Sequence, residues 1–268
     1  MVLRVSELTV YPIKSLPGVS LESVQVNARG LGMDRRWMLV DEKSEMVTQR
    51  TEPMLSQIGV RLDGERLLLD IAGEDCLVPQ ATDERAQVKV WGDTVSALKV
   101  SAEISHKISS VLAKTVELVW MPDQTRRRVE ARPGTEDKVV GFADGFPFLV
   151  VSEASLDDLN GRLKESVGMN RFRPNIVVSN AAPFEEDEWR RFQIGELEFT
   201  NVKPCARCVM TTVNPEDGAR GSEPLKTLSS FRKLGKEVFF GQNAVHCGEG
   251  FLQVGDSVKV LERQGALI

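Results

Sequence analysis

The chain has 268 residues, of which 34 are Lys or Arg and 39 are Asp or Glu, so the formal net charge is −5. Hydrophobic residues make up 41% and charged residues 27%, the balance of an ordinary globular protein. The acidic excess disfavours a dedicated nucleic-acid-binding protein, and no run of about 18 apolar residues suggests a membrane span. Four cysteines are too few for a disulfide framework, and no secretion signal precedes the first strand, so we expect a cytoplasmic location.

Most of the first hundred residues predict short β-strands, because apolar and polar residues alternate between turn signals. Two pairs of segments predict tight hairpins, one around Asp63-Gly64 and one around Gly92-Asp93, since such pairs accept the positive φ angles of a short turn. A third hairpin, with a longer turn, precedes them. The predicted strands of this half are 5–11, 20–26, 36–40, 46–50, 58–62, 66–71, 88–91 and 95–100.

Three segments predict helices, mainly because apolar residues repeat on one face. The first covers 104–112. The second covers 156–167 and has Ser152 placed to cap it, and the third covers 224–234 with Pro224 near its first turn.

The later part of the chain returns to strands. Segment 194–202 predicts one long strand, 209–213 another, and 251–254 with 257–261 a closing hairpin. Many short strands at regular spacing favour barrels over a parallel βαβ sheet.

The stretch 121–138 is the best candidate for a junction between domains. It contains two prolines, Gly134 and the arginine run 126–128, which we interpret as a solvated loop. The sequence therefore indicates an α+β protein, mainly β, with domains at 1–121 and 122–268.

The sharpest local feature is the pair Cys205 and Cys208, separated by Ala-Arg. One interpretation is a zinc half-site completed by His246 and Cys247, although neighbouring residues on a strand point to opposite faces. A second is a redox dithiol, although such a motif usually begins a helix. A third is a single thiolate ligand to a metal cofactor. Ordinary structural cysteines are the default, and spacing alone does not decide among these possibilities.

Two early segments carry candidate anion ligands. Lys14 and Ser15 follow a predicted strand, where an ammonium and a hydroxyl suit a phosphate or carboxylate. Arg35 and Arg36 precede another strand and point to opposite faces, so either could serve. Solvated loop residues are the ordinary alternative.

Two later segments are also polar and compact. Arg171-Phe-Arg-Pro-Asn175 suits recognition of anions and amides, although arginines are also common near helix C-termini. Gly241-Gln-Asn243 suits contacts to a heterocycle but also makes an ordinary turn.

Taken together, these motifs resemble one family, in the same order along almost the whole chain. Three of them look like the β-barrel domain that precedes MOSC domains: Val10-Tyr-Pro-Ile-Lys-Ser15, Gly32-Met-Asp-Arg-Arg-Trp37 and Met46-Val-Thr-Gln-Arg50. The others look like the MOSC domain itself: Asp144-Gly-Phe-Pro-Phe, Ser152-Glu-Ala-Ser-Leu, Phe172-Arg-Pro-Asn-Ile, the Cys205–Cys208 segment with its continuation Val-Met-Thr-Thr-Val-Asn-Pro-Glu-Asp-Gly, and Phe240-Gly-Gln-Asn. The resemblance points to the branch that contains the mitochondrial amidoxime-reducing component and its bacterial relatives.

The resemblance implies an N-terminal MOSC-associated β-barrel domain, 1–121, followed by a MOSC β-barrel domain with a few helices, 122–268. It also implies a molybdenum cofactor, a pterin dithiolene that carries one phosphate, with a protein cysteine completing the metal's ligands. By position this ligand and catalytic residue is Cys208. The chemistry agrees, because soft metal centres take deprotonated thiolates.

The resemblance also implies where the cofactor is held. Lys14, Ser15 and Arg35 would hold the phosphate, with Arg36 the alternative to Arg35. The residues implied at the pterin and near the metal are Asp144, Gly145, Arg173, Asn175, Arg207 and Asn243.

The implied activity is a molybdenum oxidoreductase that reduces N-hydroxylated compounds, such as amidoximes and hydroxylamines, to amidines or amines. The chain lacks the spaced cysteines of an iron–sulfur domain, so we expect a separate electron donor of ferredoxin, flavodoxin or cytochrome type. One alternative is persulfide transfer, as in cofactor sulfurases, although no pyridoxal-phosphate-dependent desulfurase domain is expected here. The other is a cofactor carrier without turnover. We expect no nucleic-acid or membrane partner.

Overall fold

The computed structural model describes residues 2–266 and confirms a mainly β chain with three α-helices. Met1 and residues 267–268, the outer ends of the two predicted domains, lie outside the described residues. In chain order the strands are β1 (Arg4–Val10), β2 (Val19–Ser20), β3 (Ser23–Asn27), β4 (Gly30–Leu31), β5 (Trp37–Val40), β6 (Gly59–Asp63), β7 (Arg66–Ile71), β8 (Glu74–Leu77), β9 (Arg85–Val90), β10 (Asp93–Lys99), β11 (Glu117–Trp120), β12 (Phe148–Ser152), β13 (Ile176–Ser179), β14 (Trp189–Ile194), β15 (Leu197–Ala206), β16 (Lys233–Leu234), β17 (Glu237–Cys247), β18 (Gly250–Gln253) and β19 (Val258–Arg263).

The helices are few and short. They are α1 (Ala102–Leu112), α2 (Glu153–Asn160) and α3 (Leu225–Leu228), with 3-10 turns at Pro53–Gln57, Met169–Arg171, Glu185–Glu188 and Val209–Thr212. Within residues 2–266, none of them has both the length and the apolar character that a bilayer span requires.

The largest sheet has nine strands, in the order β19-β14-β15-β17-β12-β13-β1-β2, with β16 paired to β17. Most of its pairs are antiparallel, but β12 and β13 run parallel, with Val150 opposite Ile176 and α2 between them. Ser152 ends β12 and caps α2, since its hydroxyl accepts a hydrogen bond from the Ser155 N–H at 3.1 Å. One βαβ unit thus occurs in a chain for which we had predicted barrels alone.

The first strands belong to this larger body. β1 pairs with β13, and β3 pairs with β18. Their side chains join the same core, in which Leu8 and Val26 pack with Phe148, Trp189 and Phe199, all almost completely buried. The predicted division at 121–122 stays a prediction, and strand pairing places residues 4–31 with the second half.

The smaller body contains β5 to β11 and α1. It has a four-stranded sheet, β5-β11-β10-β9, and a three-stranded sheet, β6-β7-β8. The predicted Asp63-Gly64 hairpin is present as β6–β7. In α1, Ile104 and Ile108 face the core of this body, as the apolar stripe predicts. The Ser101 hydroxyl caps the helix by accepting from the Glu103 N–H.

Turn geometry corrects several strand predictions. Segment 194–202 is not one strand, because Gly195 takes φ +55 and turns the chain between β14 and β15. The β9–β10 turn consists of Trp91 and Gly92, since Val90 pairs with Asp93. Residues 46–50 do not form the predicted strand, and only Met46 among them makes an isolated bridge, to Val40.

Tertiary pairing explains further corrections. The closing segments 251–254 and 257–261 do not pair with each other, because β18 joins β3 and β19 joins β14. Segment 209–213 begins a 3-10 turn rather than a strand. The second helix ends at Asn160, whose side chain exchanges two hydrogen bonds with the Val167 backbone and fixes the following loop.

Candidate functional site

One cleft opens where the larger and smaller bodies meet. The segment after β1, the turn before β5 and the loops before β12 and β13 form its walls together with the end of β15. Every residue predicted to bind the cofactor or its metal lines this cleft: Lys14, Ser15, Arg35, Asp144, Gly145, Arg173, Asn175, Arg207, Cys208 and Asn243. Its empty space is about 850 Å³ when the open solvent at the mouth is included. The binding roles of these residues stay predictions.

Tyr11 lies between two arginines at one end of the cleft. The guanidinium carbons of Arg35 and Arg173 lie 4.3 and 4.2 Å from its ring centroid. The hydroxyl donates to the Pro174 carbonyl at 3.1 Å. Burial raises the pKa of Tyr11 despite the two cations, so the phenol stays neutral at physiological pH.

Arg173 is the least compensated cation of this group. It donates to the Leu16 carbonyl at 2.7 Å, and no ion pair of Arg173 occurs within residues 2–266. Burial, aided by Arg35, lowers the pKa of Arg173 to about 10. The guanidinium is still protonated at neutral pH, and an anion in the cleft would offset its desolvation.

Asn175 joins the two bodies below these cations. Its Oδ1 accepts from Arg35 Nη1 at 2.9 Å and from the Leu149 N–H at 3.3 Å. Its Nδ2 donates to the Thr9 carbonyl and to Asp34 Oδ1, each at 3.2 Å. A side-chain amide offers two acceptor sites and two donors, so this one is fully used inside the protein.

Asp34 completes the group. Its carboxylate accepts from Arg35 Nη1 at 2.8 and 2.6 Å and from the Tyr11 N–H at 2.8 Å. Burial nevertheless raises the pKa of Asp34 above its ordinary value, since desolvation outweighs the pairing. Much of the Arg35 charge is therefore directed at Asp34, which fixes the guanidinium in the wall of the cleft.

Asp144 organises the opposite wall. Its Oδ1 accepts from Lys14 Nζ at 2.5 Å and from Trp91 Nε1 at 3.1 Å, and its Oδ2 accepts from Arg50 Nη2 at 3.0 Å. Burial would raise the pKa of Asp144, but Lys14 and Arg50 outweigh it and hold the pKa well below its usual range. The Asp144 side chain is 57% exposed, so solvent screens these pairs.

The Asp144 loop is supported from behind by a buried arginine that we had interpreted as solvated. Arg127 donates to the carbonyls of Gly141, Ala143 and Asp144 and to the Asp93 carboxylate. A Cβ at Gly141 would lie 2.6 Å from the Arg35 carbonyl oxygen, so this position requires glycine. The loop is thus fixed against the segment that carries Arg35.

The two cysteines lie in different surroundings. Arg207 Nη1 donates to Cys205 Sγ at 3.0 Å, and Cys205 packs against the cluster that contains Phe172. Cys208 interacts with a different arginine, Arg50. Burial alone would lower the pKa of Arg50, but Asp144 and Cys208 together raise it. Each cysteine thus lies beside an arginine of the cleft lining, Cys205 beside Arg207 and Cys208 beside Arg50.

The register of β15 and β17 removes the zinc interpretation. Cys247 pairs opposite Glu198, and His246 opposite Phe199, so both lie roughly 20 Å along β15 from Cys205 at about 3.3 Å per residue. Within residues 2–266, no group of three or more His, Cys, Asp or Glu side chains is placed to hold a metal. The dithiol interpretation lacks its usual helix, since only a 3-10 turn follows Cys208.

The structure also separates Arg35 from Arg36. Arg36 donates to the Met121 carbonyl and to Asp123, and it stacks on Trp120 away from the cleft. Arg171, part of the segment predicted to suit anions and amides, also lines the cleft, as does Arg50, which was given no role from the sequence. Arg50 lies within a motif of the family resemblance, which is the signal that could have identified it.

The charge of the cleft is opposite to that of the chain. Among the described residues, Asp144 is its only lining carboxylate, and the lining cations are Lys14, Arg35, Arg50, Arg171, Arg173 and Arg207. The Arg207 Nε is buried without a hydrogen-bond partner among the described residues. A Cβ at Gly145 would meet no atom within 4 Å, so the open space there is not used by the protein itself. These features fit an anionic cofactor with a thiolate metal ligand at Cys208.

Comparison with known families identifies both halves. Residues 2–115 match the MOSC N-terminal beta barrel domain, and residues 137–259 match the MOSC domain. Mitochondrial amidoxime-reducing component 1 of Mus musculus is 37% identical over 96% of this chain and 82% of its own length. The Homo sapiens protein of the same name is 36% identical over the same shares. The chain belongs to this family of two-domain MOSC proteins.

A more distant MOSC relative has a different name. Molybdenum cofactor sulfurase of Oryza sativa is 29% identical over 89% of this chain, which spans 32% of that relative. The relatives connect this MOSC protein with molybdenum-cofactor-related function, and the predicted family membership is confirmed.

Proposed function

We propose that this MOSC protein binds the molybdenum cofactor in the cleft and reduces N-hydroxylated compounds, with Cys208 as the metal ligand. The observation that carries the proposal is that Cys208 lines a cleft together with six cationic side chains, where Asp144 is the only lining carboxylate among the described residues. The names of the relatives support amidoximes as substrates, and the family resemblance extends the proposal to hydroxylamines. When bound, the cofactor would supply a redox-active metal that accepts the oxygen atom and delivers the electrons of the reduction to the substrate.

The residues of this chain hold and orient the cofactor. Lys14, Ser15 and Arg35 line the end suited to its phosphate, where charge-assisted hydrogen bonds are strong. Arg173 and Asn243 provide donors along the cleft. The side-chain hydrogen bonds of Asn175 are internal to the protein, so we propose that Asn175 positions Arg35 in the cleft wall.

The electrons come from a separate protein in this proposal, of ferredoxin, flavodoxin or cytochrome type. The cytoplasmic location stays a prediction, and the mitochondrial names of the relatives make it a point to test by fractionation.

The test uses protein purified from a cell that makes the cofactor. We expect molybdenum in the protein by elemental analysis and reduction of benzamidoxime with an artificial reductant. Cys208→Ser should abolish activity and Cys205→Ser should keep a substantial part of it, with both variants retaining the circular dichroism of the unmodified protein. X-ray absorption at the molybdenum edge should show a protein sulfur that is lost only in Cys208→Ser. Equal loss of activity from both replacements would contradict the assignment.

The same measurements separate the alternative functions. Bound molybdenum without turnover of any N-hydroxylated compound would favour a carrier. Sulfane sulfur on a cysteine would favour persulfide transfer, the function class suggested by the name of the rice relative. Neither result is expected.

A further inference from the structure

We propose that Trp91, Arg50 and Asp144 form a substrate subsite at the cleft mouth that selects planar, aromatic N-hydroxylated compounds. The inference rests on the proposed function and adds the class of substrate. No motif of the sequence singled out Trp91, and it lies on the smaller body rather than in the MOSC domain.

The backbone of Trp91 is the first observation. It occupies the first position of the two-residue turn between β9 and β10, at φ +54. Turns of this kind are normally filled by Gly, Asn or Asp, because a Cβ is strained at positive φ. A bulky aromatic side chain at such a position costs of order 1 kcal/mol. Packing does not explain the choice, since Trp91 is 48% exposed.

The orientation of the ring is the second observation. Trp91 Nε1 donates to Asp144 Oδ1 at 3.1 Å, and the Arg50 guanidinium carbon lies over the ring, 4.6 Å from its centroid. The hydrogen bond and the cation–π contact together restrict the ring. A fixed, partly solvent-facing indole offers a planar apolar surface, and aromatic groups pack well on such a surface.

The link to the reacting end is the third observation. Arg50 and Asp144 both contact the Trp91 side chain, and both line the cleft together with Cys208, the thiol that we assign to the metal. A small substrate with its ring on Trp91 therefore lies next to two residues of the cleft lining, and its N-hydroxyl group can enter the cleft that contains that thiol. Aliphatic compounds lack the planar group that would use this surface.

Kinetics of the holoenzyme test the subsite. Benzamidoxime is compared with acetamidoxime in the unmodified protein, Trp91→Ala, Trp91→Phe and Phe251→Ala. Phe251 is an exposed aromatic on β18 and serves as the matched control, whereas Trp91 contacts the lining residues Asp144 and Arg50. We expect Trp91→Ala to raise KM for benzamidoxime about 3- to 10-fold, the range of aromatic pairs, and to leave acetamidoxime unchanged. Trp91→Phe should recover most of the loss. Equal effects on both substrates, or no effect, would overturn the proposal.

Binding is measured separately from turnover. Titration of the unmodified holoprotein with benzamidoxime should quench tryptophan fluorescence, and Trp91→Phe should remove that quenching while calorimetry still detects binding. Quenching without any turnover would retain the subsite and contradict the proposed reductase activity. Turnover without quenching or selectivity would retain the reductase activity and refute the subsite.

Discussion

Asn175 and Asn243 give the clearest distinction between a structural and a binding residue in the cleft. Both were predicted to contact the cofactor, and both line the cleft. Asn175 is 2% exposed and uses all of its side-chain hydrogen-bonding capacity inside the protein. Asn243 makes one long side-chain hydrogen bond, to the Pro204 carbonyl at 3.4 Å. We therefore expect Asn175→Ala to reduce stability strongly and Asn243→Ala to reduce cofactor retention.

The magnitude follows from the partners of each amide. Two partners of Asn175, Arg35 and Asp34, are ionised, and two are backbone groups. Neutral hydrogen bonds contribute about 0.5–1.5 kcal/mol each and charged ones about 1.5–3 kcal/mol. Because Asp34 and Arg35 keep each other as partners, we expect a loss of about 3–5 kcal/mol for Asn175→Ala. The single long bond of Asn243 predicts a loss below about 1 kcal/mol.

The assay is urea-induced unfolding of the cofactor-free proteins at pH 7, followed by fluorescence and circular dichroism in parallel. Molybdenum content after purification from cofactor-competent cells reports retention, and we expect Asn243→Ala to lower it without a matching loss of stability. If the two alanine variants unfold at the same urea concentration, Asn175 does not have the positioning role that its hydrogen bonds indicate.

Two further predictions concern pH and backbone conformation. Burial, aided by Lys138, lowers the pKa of His246 from 6.5 to about 4. The unfolded chain therefore binds a proton at higher pH than the folded protein does. The resulting contribution to the free energy of unfolding is complete above about pH 6.5 and falls by about 3 kcal/mol toward pH 4. His246→Gln should remove that part of the pH dependence in urea unfolding, and the control His106→Gln, at an exposed position, should leave it in place. If the free energy of unfolding of His246→Gln still falls with pH as in the unmodified protein, the prediction is wrong. At Trp91, the φ of +54 predicts that Trp91→Gly is more stable than Trp91→Ala by about 1 kcal/mol, and thermal unfolding that ranks alanine equal or higher would refute the strain argument.

Local signals predicted the elements that depend on neighbouring residues in the chain. The Asp63-Gly64 hairpin and the apolar stripe of α1 follow from turn chemistry and helix periodicity, and both are present. Strand partners far apart in the chain were not predictable. The segments 251–254 and 257–261 look like a hairpin, but each finds a better buried partner on another strand.

The residues of the candidate site likewise divide into those that the sequence could identify and those that only the fold reveals. The family resemblance named residues from both halves, and the structure brings them to one cleft. Residues that act from behind the cleft had no such signal. Arg127 lies in a run of arginines, which usually means solvent exposure, and only the fold reveals the three carbonyl groups that it binds. Trp91 carried no sequence signal because its φ angle depends on the turn register.

Left-handed backbone conformations concentrate around this cleft. Ser15, Arg35, Trp91 and Arg173 have φ angles of 70, 45, 54 and 58°, and each costs roughly 1 kcal/mol or more relative to an extended residue. At Arg35 and Arg173 the cost is offset by the buried contacts around Tyr11, and at Trp91 by the hydrogen bond to Asp144. These conformations direct cationic and aromatic side chains from separate loops into one space. Regular strands would instead point successive side chains to alternate faces. A replacement that relieves the strain at one of these positions would also remove the contacts of the replaced side chain, so we expect it to weaken binding at this cleft.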